Sequence, residues 1–212
     1  MPGTWTWPVG TVASVLTDAD IAYVWANFVP LERLAGERGE SLADVRALVQ
    51  GEGLPRPSYV LDDGTEMVPS DYFALADEAG GVANLREAFA ARYKRAAAAE
   101  TAPLDTAEDE WRAYLSGEYG VCLRHVTPET IVRKSALMQE IEGLLAEPRP
   151  ADERWQALLR LAVGELDELE RPFAPHYDRA RFGAPSSRDR LITAVRETYP
   201  VAFAEPASIR AS

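Results

Sequence analysis

Residues able to do chemistry concentrate in one stretch of the chain, Glu170–Arg190, with the sequence ERPFAPHYDRARFGAPSSRDR. From His176 to Arg190 it holds four arginines and two aspartates, a net charge of +2 in a chain whose net charge is −12. Arg179 and Arg181 are two residues apart and would point the same way in an extended loop. Guanidinium groups bind carboxylates and phosphates through paired hydrogen bonds. The stretch therefore predicts a site for an anionic ligand.

The serine pair that follows strengthens this prediction. We expect Ser187 to cap the last helix, so that its first-turn N–H groups favour an anion in the preceding loop. Ser186 can add a hydroxyl, and Arg188 lies where the helix dipole disfavours a cation, so it needs an anionic partner. Nearby side chains of histidine and tyrosine can handle a proton. The catalytic candidates are His176 and Tyr177, and the ligand-binding candidates are Arg179, Arg181, Ser186, Ser187 and Arg188.

A structural interpretation of the same arginines stays open. Arginine–carboxylate networks commonly pin a long connection onto neighbouring helices. Glu165, Glu168 or Glu170 can supply the carboxylate inside the protein. The sequence does not decide between an internal ion pair and an external anion.

Cys122 and His125 form a second candidate site. An i, i+3 spacing on a helix places a thiol beside an imidazole, the arrangement of an activated nucleophile. The surrounding residues Val121, Leu123 and Val126 are apolar, and a lone cysteine in such a segment is usually inert. We therefore expect a core role for this pair rather than catalysis.

Motifs for metals and cofactors are missing from the sequence. There is no Cys-x-x-Cys, no Glu-x-x-His of the di-iron kind and no glycine-rich phosphate loop. Carboxylates are dense at Glu108–Glu110 and Glu165–Glu170, but acid clusters on helices are usually solvated faces. We expect neither a metal nor a cofactor.

Bulk composition narrows the class of protein. The 212 residues have a net charge of −12, so no global field attracts nucleic acid or an anionic membrane. The single cysteine excludes an intrachain disulfide, as expected in a reducing cytoplasm. The N-terminus lacks the pattern of a signal peptide, and no apolar run is long enough for a membrane span. We expect a cytoplasmic protein with no membrane partner.

The elements that position these residues are mostly amphipathic helices. The predicted helix starts are capping residues: Thr17, Ser41, Ser70, Thr106, Thr127 and Asp152, with Pro30 in the first turn of the second helix. On the first helix, Ile21, Val24, Trp25 and Phe28 form a stripe that we expect to be buried. A hairpin is predicted at 58–68, turning at Asp62-Asp63-Gly64.

These elements predict a mainly α fold, in which a winged helix-turn-helix-like module with one β-hairpin packs on a C-terminal helical bundle. The predicted divisions are an N-terminal arm at 1–16 with Trp5 and Trp7, the module at 17–80, the bundle at 81–200 and a frayed tail at 201–212. A loop is predicted at 101–105.

The module resembles the MerR-type winged helix-turn-helix in the stretches LERLA at 31–35, SLADVR at 41–46 and GLPRP at 53–57. This resemblance implies DNA binding, which needs Lys or Arg on phosphates. Residues 17–79 instead hold thirteen acids and four arginines, a net charge of −9. The predicted recognition helix offers only Arg46, and the wing has Glu66 where a basic residue is expected. DNA is therefore an unlikely partner, and we expect a surface used for packing or protein contact.

Taken whole, the chain resembles a bacterial family whose members occur with natural-product biosynthesis genes. The matching stretches are FVPLERLA from residue 28, PSYVLDDGTEMVPSDYF at 57–73, YLSGEYGVCLRHVTPETIVRK at 114–134 and ERPFAPHYDRARFGAPSSRDRLITAVRETYP at 170–200. The resemblance implies a setting in cytoplasmic secondary metabolism, but no reaction and no catalytic residue.

The leading hypothesis is a cytoplasmic accessory or catalytic protein of natural-product biosynthesis that binds an anionic small molecule or a carrier-bound intermediate. One alternative is a MerR-like transcriptional regulator of the same pathway. Another is a non-catalytic interaction partner of a biosynthetic enzyme. A basic face on the module would favour the regulator, whereas a closed pocket lined by Tyr177, Arg179 and Arg181 would favour the binding protein or enzyme.

Overall fold

The computed structural model describes residues 15–100, 105–182 and 185–204. The predicted arm at 1–16, the loop at 101–105 and the tail at 201–212 lie largely outside these ranges. Within them the chain is mainly helical, with a small three-stranded antiparallel sheet near the N-terminus. Of the helices described, none combines the length and the hydropathy needed to cross a bilayer.

The first helix, α1 (Asp18–Asn27), begins as the sequence predicts. The Thr17 side chain accepts from the Asp20 N–H, and the Asp20 carboxylate accepts from the Thr17 N–H, which completes the capping box. Val24 is fully buried, but Trp25 is 52% exposed, so the prediction that Trp25 is buried is wrong. The helix lies at the edge of the molecule and buries a narrower stripe than the spacing of its apolar residues indicates.

The sheet consists of β1 (Val29–Pro30), β2 (Tyr59–Val60) and β3 (Glu66–Val68), in the order β1-β3-β2. The predicted hairpin is confirmed, with Tyr59 opposite Met67. Strand β1 was not predicted, because Pro30 was assigned to a helix. Pro30 is instead the last residue of an edge strand, a position that tolerates proline because no ladder N–H is needed there.

Three further helices complete the N-terminal part: α2 (Leu31–Glu37), α3 (Leu42–Gln50) and α4 (Ala74–Glu78). The Ser41 hydroxyl accepts from the Asp44 N–H, which confirms the predicted cap of α3. Ser70 does not cap α4, since that helix begins after Phe73 without a side-chain cap. Residues 70–73 form a turn that the local sequence did not reveal.

A helical bundle follows. Its members are α5 (Val82–Ala99), α6 (Ala107–Leu115), α7 (Glu118–Cys122), α8 (Pro128–Ala146) and α9 (Glu153–Leu169). The predicted caps Thr106, Thr127 and Asp152 each accept a first-turn N–H. Helices α8 and α9 pack on each other and α5 packs on α8, so the bundle has α8 near its centre.

The last described part of the chain consists of short helical pieces: α10 (Tyr177–Phe182), a π-helix (Arg188–Thr193), α11 (Ala194–Thr198) and α12 (Pro200–Phe203). The stretch expected to be an extended loop thus contains a helix. The expectation of a frayed tail is also wrong for its described part, because Ala202 is buried and α12 packs on α9.

One hydrophobic core runs through both halves of the molecule. It joins Leu31 and Phe73 of the N-terminal part to Phe89 and Ile131 of the bundle. The turn between α6 and α7 contacts the chain before β2 directly, since Arg56 N donates to Leu115 O at 3.0 Å. Residue 80 therefore does not separate two independent cores.

Candidate functional site

Arg179 and Arg181, the predicted clamp, lie on helix α10 and not in an extended loop. Residues two apart on an α-helix are about 200° apart around its axis, so their side chains leave opposite sides. Arg179 is 65% exposed, and its Nη2 lies 2.8 Å from Asp189 Oδ1. Arg181 donates to the Ser58 carbonyl oxygen at 2.8 Å. The prediction that the two side chains point the same way is therefore wrong.

The last helical segment is capped by Ser186 and not by Ser187. Ser186 Oγ accepts from the Asp189 N–H at 3.1 Å, and Asp189 Oδ2 accepts from the Ser186 N–H at 3.1 Å. Ser187 already has helical dihedral angles (φ −54°, ψ −40°), and its hydroxyl donates to Glu170. A carboxylate of the protein, Asp189, thus fills the first-turn position predicted for an external anion.

Arg188 begins the π-helix and has two differently placed nitrogens. Its Nη2 pairs with Asp167, a carboxylate that Arg196 also contacts at 2.8 Å. Its Nη1 is buried and has no hydrogen-bond partner within the protein. π-helical turns are rare and recur at functional sites. The arginines do pair with acids inside the protein, as the structural interpretation of the sequence proposed. The acids are Asp167 and Asp189, however, and not Glu165, Glu168 or Glu170.

Cys122 and His125 do not share a helix. Helix α7 ends at Cys122 and Leu123 is extended (φ −98°, ψ 141°), so the i, i+3 argument fails. His125 is 77% exposed, and its Nδ1 lies 3.2 Å from Asp71. Burial raises the pKa of the Cys122 thiol, which disfavours the thiolate that a nucleophile needs.

Glu170, the first residue of the segment, is fully buried. Its Oε1 lies 2.9 Å from Lys134 Nζ and also accepts from the Ser187 hydroxyl. Its Oε2 is buried and has no partner. The main chain holds the residue in place, because it forms a β-bridge with Leu123. Burial alone would lower the pKa of Lys134, but the charge of Glu170 and the hydrogen bond to it help to raise the pKa instead, so the amine stays charged.

Asp178, on α10, is the second buried carboxylate of the segment, at 1% exposure. Its Oδ2 accepts from Tyr59 Oη at 2.7 Å and from the Ala174 N–H at 2.8 Å. Its Oδ1 is buried without a partner. Burial raises the pKa of Asp178, although the two hydrogen bonds and Arg181 oppose the rise.

Tyr23 on α1 faces these groups. Its hydroxyl is buried and unpaired. Burial raises the pKa of Tyr23, the Asp178 carboxylate raises it further, and Arg171, Arg124 and Arg188 oppose the rise. An aromatic path connects the same groups, since Tyr23 packs on Phe28, and Phe28 on Tyr59.

His176 and Tyr177, the predicted proton carriers, make their main contacts through the backbone. Both N–H groups donate to Asp20 Oδ1, at 2.9 and 3.2 Å. Asp20 is fully buried, so this contact fastens the start of α10 to α1. The Tyr177 ring lies 6.0 Å from that of Tyr59, beside Asp178, whereas the His176 side chain is exposed.

Four buried polar atoms of the described residues have no hydrogen-bond partner, and hydrogen bonds link the elements that carry them. They are the Tyr23 hydroxyl, Glu170 Oε2, Asp178 Oδ1 and Arg188 Nη1, which we call the polar cluster. No other buried side-chain nitrogen or oxygen in the described ranges lacks a partner. Three of the four belong to the 170–190 segment, and the fourth is on the helix to which that segment is fastened.

Arg171 borders the polar cluster and is held without a carboxylate. Its guanidinium donates to the carbonyl oxygens of Asn27, Leu123 and Arg124, and it lies 5.1 Å from the centre of the Phe28 ring. Burial lowers its pKa, and nearby Arg124 adds repulsion. Backbone carbonyl oxygens, rather than a carboxylate, therefore hold the Arg171 guanidinium in place.

Sequence reasoning missed Tyr23, Lys134 and Asp178. A signal for Lys134 was present, because it lies three residues from Ile131 and from Leu137 on the buried stripe of α8. A charged residue on such a stripe predicts a buried partner. No comparable signal marks Tyr23 or Asp178, whose burial depends on contacts between distant parts of the chain.

The N-terminal module has no basic face among its described residues. A groove of about 190 Å³ separates the start of α3 from the hairpin. Three acids, Glu32, Asp63 and Glu66, line it together with Arg46. Arg46 is bound to Glu66 at 2.9 Å, and Arg38 is bound to Asp77 at 2.7 Å. These arginines are held by internal carboxylates, away from any external phosphate.

Other parts of the described ranges show fewer features of a functional site. No group of three or more His, Cys, Asp or Glu side chains there is arranged to hold a metal ion. An open groove of about 380 Å³ lies at the turn between α8 and α9, and its lining includes Trp155 and Leu158. None of the residues predicted for a site lines that groove.

Comparison with known proteins gives a family and no function. Neither a curated protein nor a solved structure matches the chain. One family model, described as a family of unknown function (DUF6058), matches residues 85–200. The match covers more than half of the chain, including the bundle, the 170–190 segment and the π-helix. The chain therefore belongs to the DUF6058 family.

Proposed function

We propose that this chain binds a small polar molecule at the polar cluster between α1 and the 170–190 segment. The resemblance noted in the sequence supplies the setting, cytoplasmic natural-product biosynthesis, where the protein acts as an accessory or catalytic component. The bound molecule is a free metabolite or a carrier-bound intermediate with an anionic group.

The observation that carries the proposal is that three of the four unpaired atoms belong to the 170–190 segment and the fourth to α1, to which that segment is hydrogen-bonded. Leaving a buried polar atom without a partner costs about 1–3 kcal/mol. Four such atoms would together cost about 4–12 kcal/mol, which is comparable with the whole stability of a typical domain. A bound polar molecule that hydrogen-bonds to them removes this penalty, and ordered water is the competing occupant.

Two further features support an anionic group on the ligand. Arg188 presents an unpaired guanidinium nitrogen from a π-helical turn, and Arg171 adds a positive charge that no carboxylate neutralises in the described ranges. Arg188 is the one predicted ligand-binding residue that retains a free, buried donor. His176 and Tyr177 remain the predicted proton carriers, and no reaction is assigned to them.

Tyr23→Phe tests the proposal. Removing an unpaired buried hydroxyl should raise the free energy of unfolding of the ligand-free protein, because the desolvation penalty disappears with it. The same change should reduce the amount of small molecule that native mass spectrometry detects on the purified protein. Tyr199→Phe is the control, since Tyr199 packs on Trp155 far from the cluster. A loss of stability in Tyr23→Phe, with no bound molecule on either protein, would refute the proposal.

The module supports a second candidate, a MerR-like regulator or an interaction partner of a biosynthetic enzyme. In favour of a winged helix-turn-helix, α2 and α3 lie between β1 and the hairpin, and β1 joins the same sheet. Against DNA binding, the module has an acid excess and its groove is lined by acids. Between DNA binding and protein contact as the use of this module, we propose packing and protein contact.

A gel shift separates the regulator from the binding protein. The full chain, mixed with the DNA upstream of its own gene, should give no sequence-dependent shift near physiological salt. A sub-micromolar shift that competitor DNA does not remove would instead make the regulator the leading function.

A further inference from the structure

We infer that the outer face of α9 binds a second copy of this chain, in a two-fold symmetric dimer whose two α9 helices lie antiparallel. The inference goes beyond the proposed function, because the polar cluster takes no part in it. Its basis is a row of four residues on α9, which we call the α9 stripe: Arg154, Leu158, Leu161 and Glu165.

The α9 stripe follows from the helical repeat. The chain is α-helical over Glu153–Leu169, and successive residues of an α-helix are about 100° apart around its axis. At that repeat the four residues of the stripe fall within an arc of about 60°. The buried side of the same helix holds Trp155, Leu159 and Leu166. The stripe therefore forms a separate, continuous row beside the buried side.

The two leucines at the centre of the stripe are exposed. Leu158 is 40% exposed and Leu161 is 69% exposed, more than any other leucine in the described ranges. Leu158 also lines the open groove of about 380 Å³, together with Leu144 and Trp155. Helix α12, which packs on α9, adds the exposed Val201. Exposed apolar side chains next to a groove are typical of a protein contact surface.

The order of residues makes the stripe complementary to itself. Leu158 and Leu161 are centred between residues 159 and 160, and Arg154 and Glu165 are centred on the same point. A two-fold axis through that point, perpendicular to the helix, sets Leu158 of each copy against Leu161 of the other. The same axis sets each Arg154 against a Glu165. Parallel helices would instead bring like charges together.

The charged ends of the stripe are available for such a contact. In the described ranges the exposed Arg154 guanidinium has no ion-pair partner. Glu165 is bound by Arg133, but its side chain is still 38% exposed. An ionised carboxylate accepts about four hydrogen bonds, so Glu165 has capacity for a second arginine. An anionic lipid surface or a simple anion would meet only the arginine, whereas a second copy of the chain meets both charges.

Sedimentation velocity of the full chain between about 1 and 500 µM tests the dimer. We expect a dissociation constant in the micromolar range, because interfaces with less than about 1,200 Å² of total buried area are weak. Leu158→Glu and Leu161→Lys should each weaken association about tenfold or more, since each sets a charge against a leucine. Leu48→Glu is the control, because Leu48 lies on the module, is 37% exposed and should leave association unchanged.

A mixture of the two leucine variants tests the register. In a heterodimer of Leu158→Glu with Leu161→Lys, the new carboxylate and the new amine face each other, and the two remaining leucines still meet. The equimolar mixture should therefore dimerise about tenfold or more tightly than either variant alone. Both variants should keep the wild-type midpoint of thermal unfolding, because the substituted side chains are exposed.

Two results would overturn the inference. One is a wild-type chain that stays monomeric at about 500 µM, which would leave the exposed leucines to a different protein. The other is a mixture that associates no more tightly than its components, since the two-fold register requires the two substituted positions to meet.

Discussion

The N-terminal module and the 170–190 segment both combine arginines with acids, and they use them in opposite ways. In the module the ion pairs lie at the surface, as between Arg38 and Asp77, whose side chains are 33% and 52% exposed. In the segment the carboxylates of Glu170 and Asp178 are buried, and each keeps one unpaired oxygen. Exposed pairs contribute little to stability, whereas a buried unpaired atom destabilises the fold. Charge content alone therefore does not locate a site in this protein, but burial does.

The largest effect should come from Glu170→Ala. The change leaves the amine of Lys134 buried without a counter-charge, and breaking a buried ion pair in this way costs about 3–5 kcal/mol. Urea unfolding at neutral pH measures the loss. Asp77→Ala in the module should cost about 1 kcal/mol or less. Adding Lys134→Met to Glu170→Ala should restore part of the lost stability. Equal losses of stability in Glu170→Ala and Asp77→Ala would contradict the contrast between buried and exposed carboxylates.

The next largest effect concerns the contact between the N-terminal module and the helical bundle. Gly117 has φ +82°, and a Cβ there would meet the Arg56 and Pro57 carbonyl oxygens. Gly117→Ala should cost about 1–2 kcal/mol for the left-handed conformation and a further 1–3 kcal/mol for the clash. Gly39→Ala shares the positive φ (+71°) but has open space around it, so it isolates the conformational part.

Calorimetry on the same proteins tests whether the module and the bundle fold as one unit. We expect a single transition for the wild type, shifted to lower temperature in Gly117→Ala, because one core runs through both halves. Two well-separated transitions in the wild type would contradict this expectation.

A smaller effect should appear in the pH dependence of stability. Because burial raises the pKa of Asp178 above its ordinary 3.8, the native state holds this proton more tightly than the unfolded state. Its contribution to stability is thus greatest below that ordinary value and is lost as pH rises through the folded pKa. Relative to Asp178→Asn, the wild type should lose stability as pH rises above about 4 and through the folded pKa of Asp178. Asp77, whose pKa Arg38 lowers, should show the opposite sign in Asp77→Asn. If the difference in stability between the wild type and Asp178→Asn does not change with pH, the charge of Asp178 is compensated in the folded protein.

The smallest effect should come from Arg179→Ala. Arg179 is largely exposed and pairs with Asp189 at the surface, so its removal should change neither the midpoint of thermal unfolding nor the retention of a bound molecule. Arg188→Met is the matched comparison, because Arg188 presents a buried nitrogen to the cluster. If Arg179→Ala abolishes binding with normal stability, the anion clamp predicted from the sequence is correct and the site lies on the outer side of α10.

Local signals determined most of the helix starts of this protein. Thr17, Ser41, Thr127 and Asp152 cap helices as predicted, because a cap bonds to an N–H only two or three residues further along. The hairpin was predictable for the same reason, since its turn lies between adjacent strands. The acid excess of the module also follows from the sequence alone.

Tertiary structure decided the rest. Strand β1 exists because β3, almost forty residues later, offers it a partner. The Ser187 hydroxyl bonds to the buried Glu170. Ser186 therefore caps the last helical segment, one residue before the predicted cap. Tyr23 and Asp178 lie on neighbouring elements only because α10 is hydrogen-bonded to α1 across more than a hundred and fifty residues. Hydrogen bonds and caps are short-range and can be recognised in the order of residues, whereas burial depends on which distant surfaces come together.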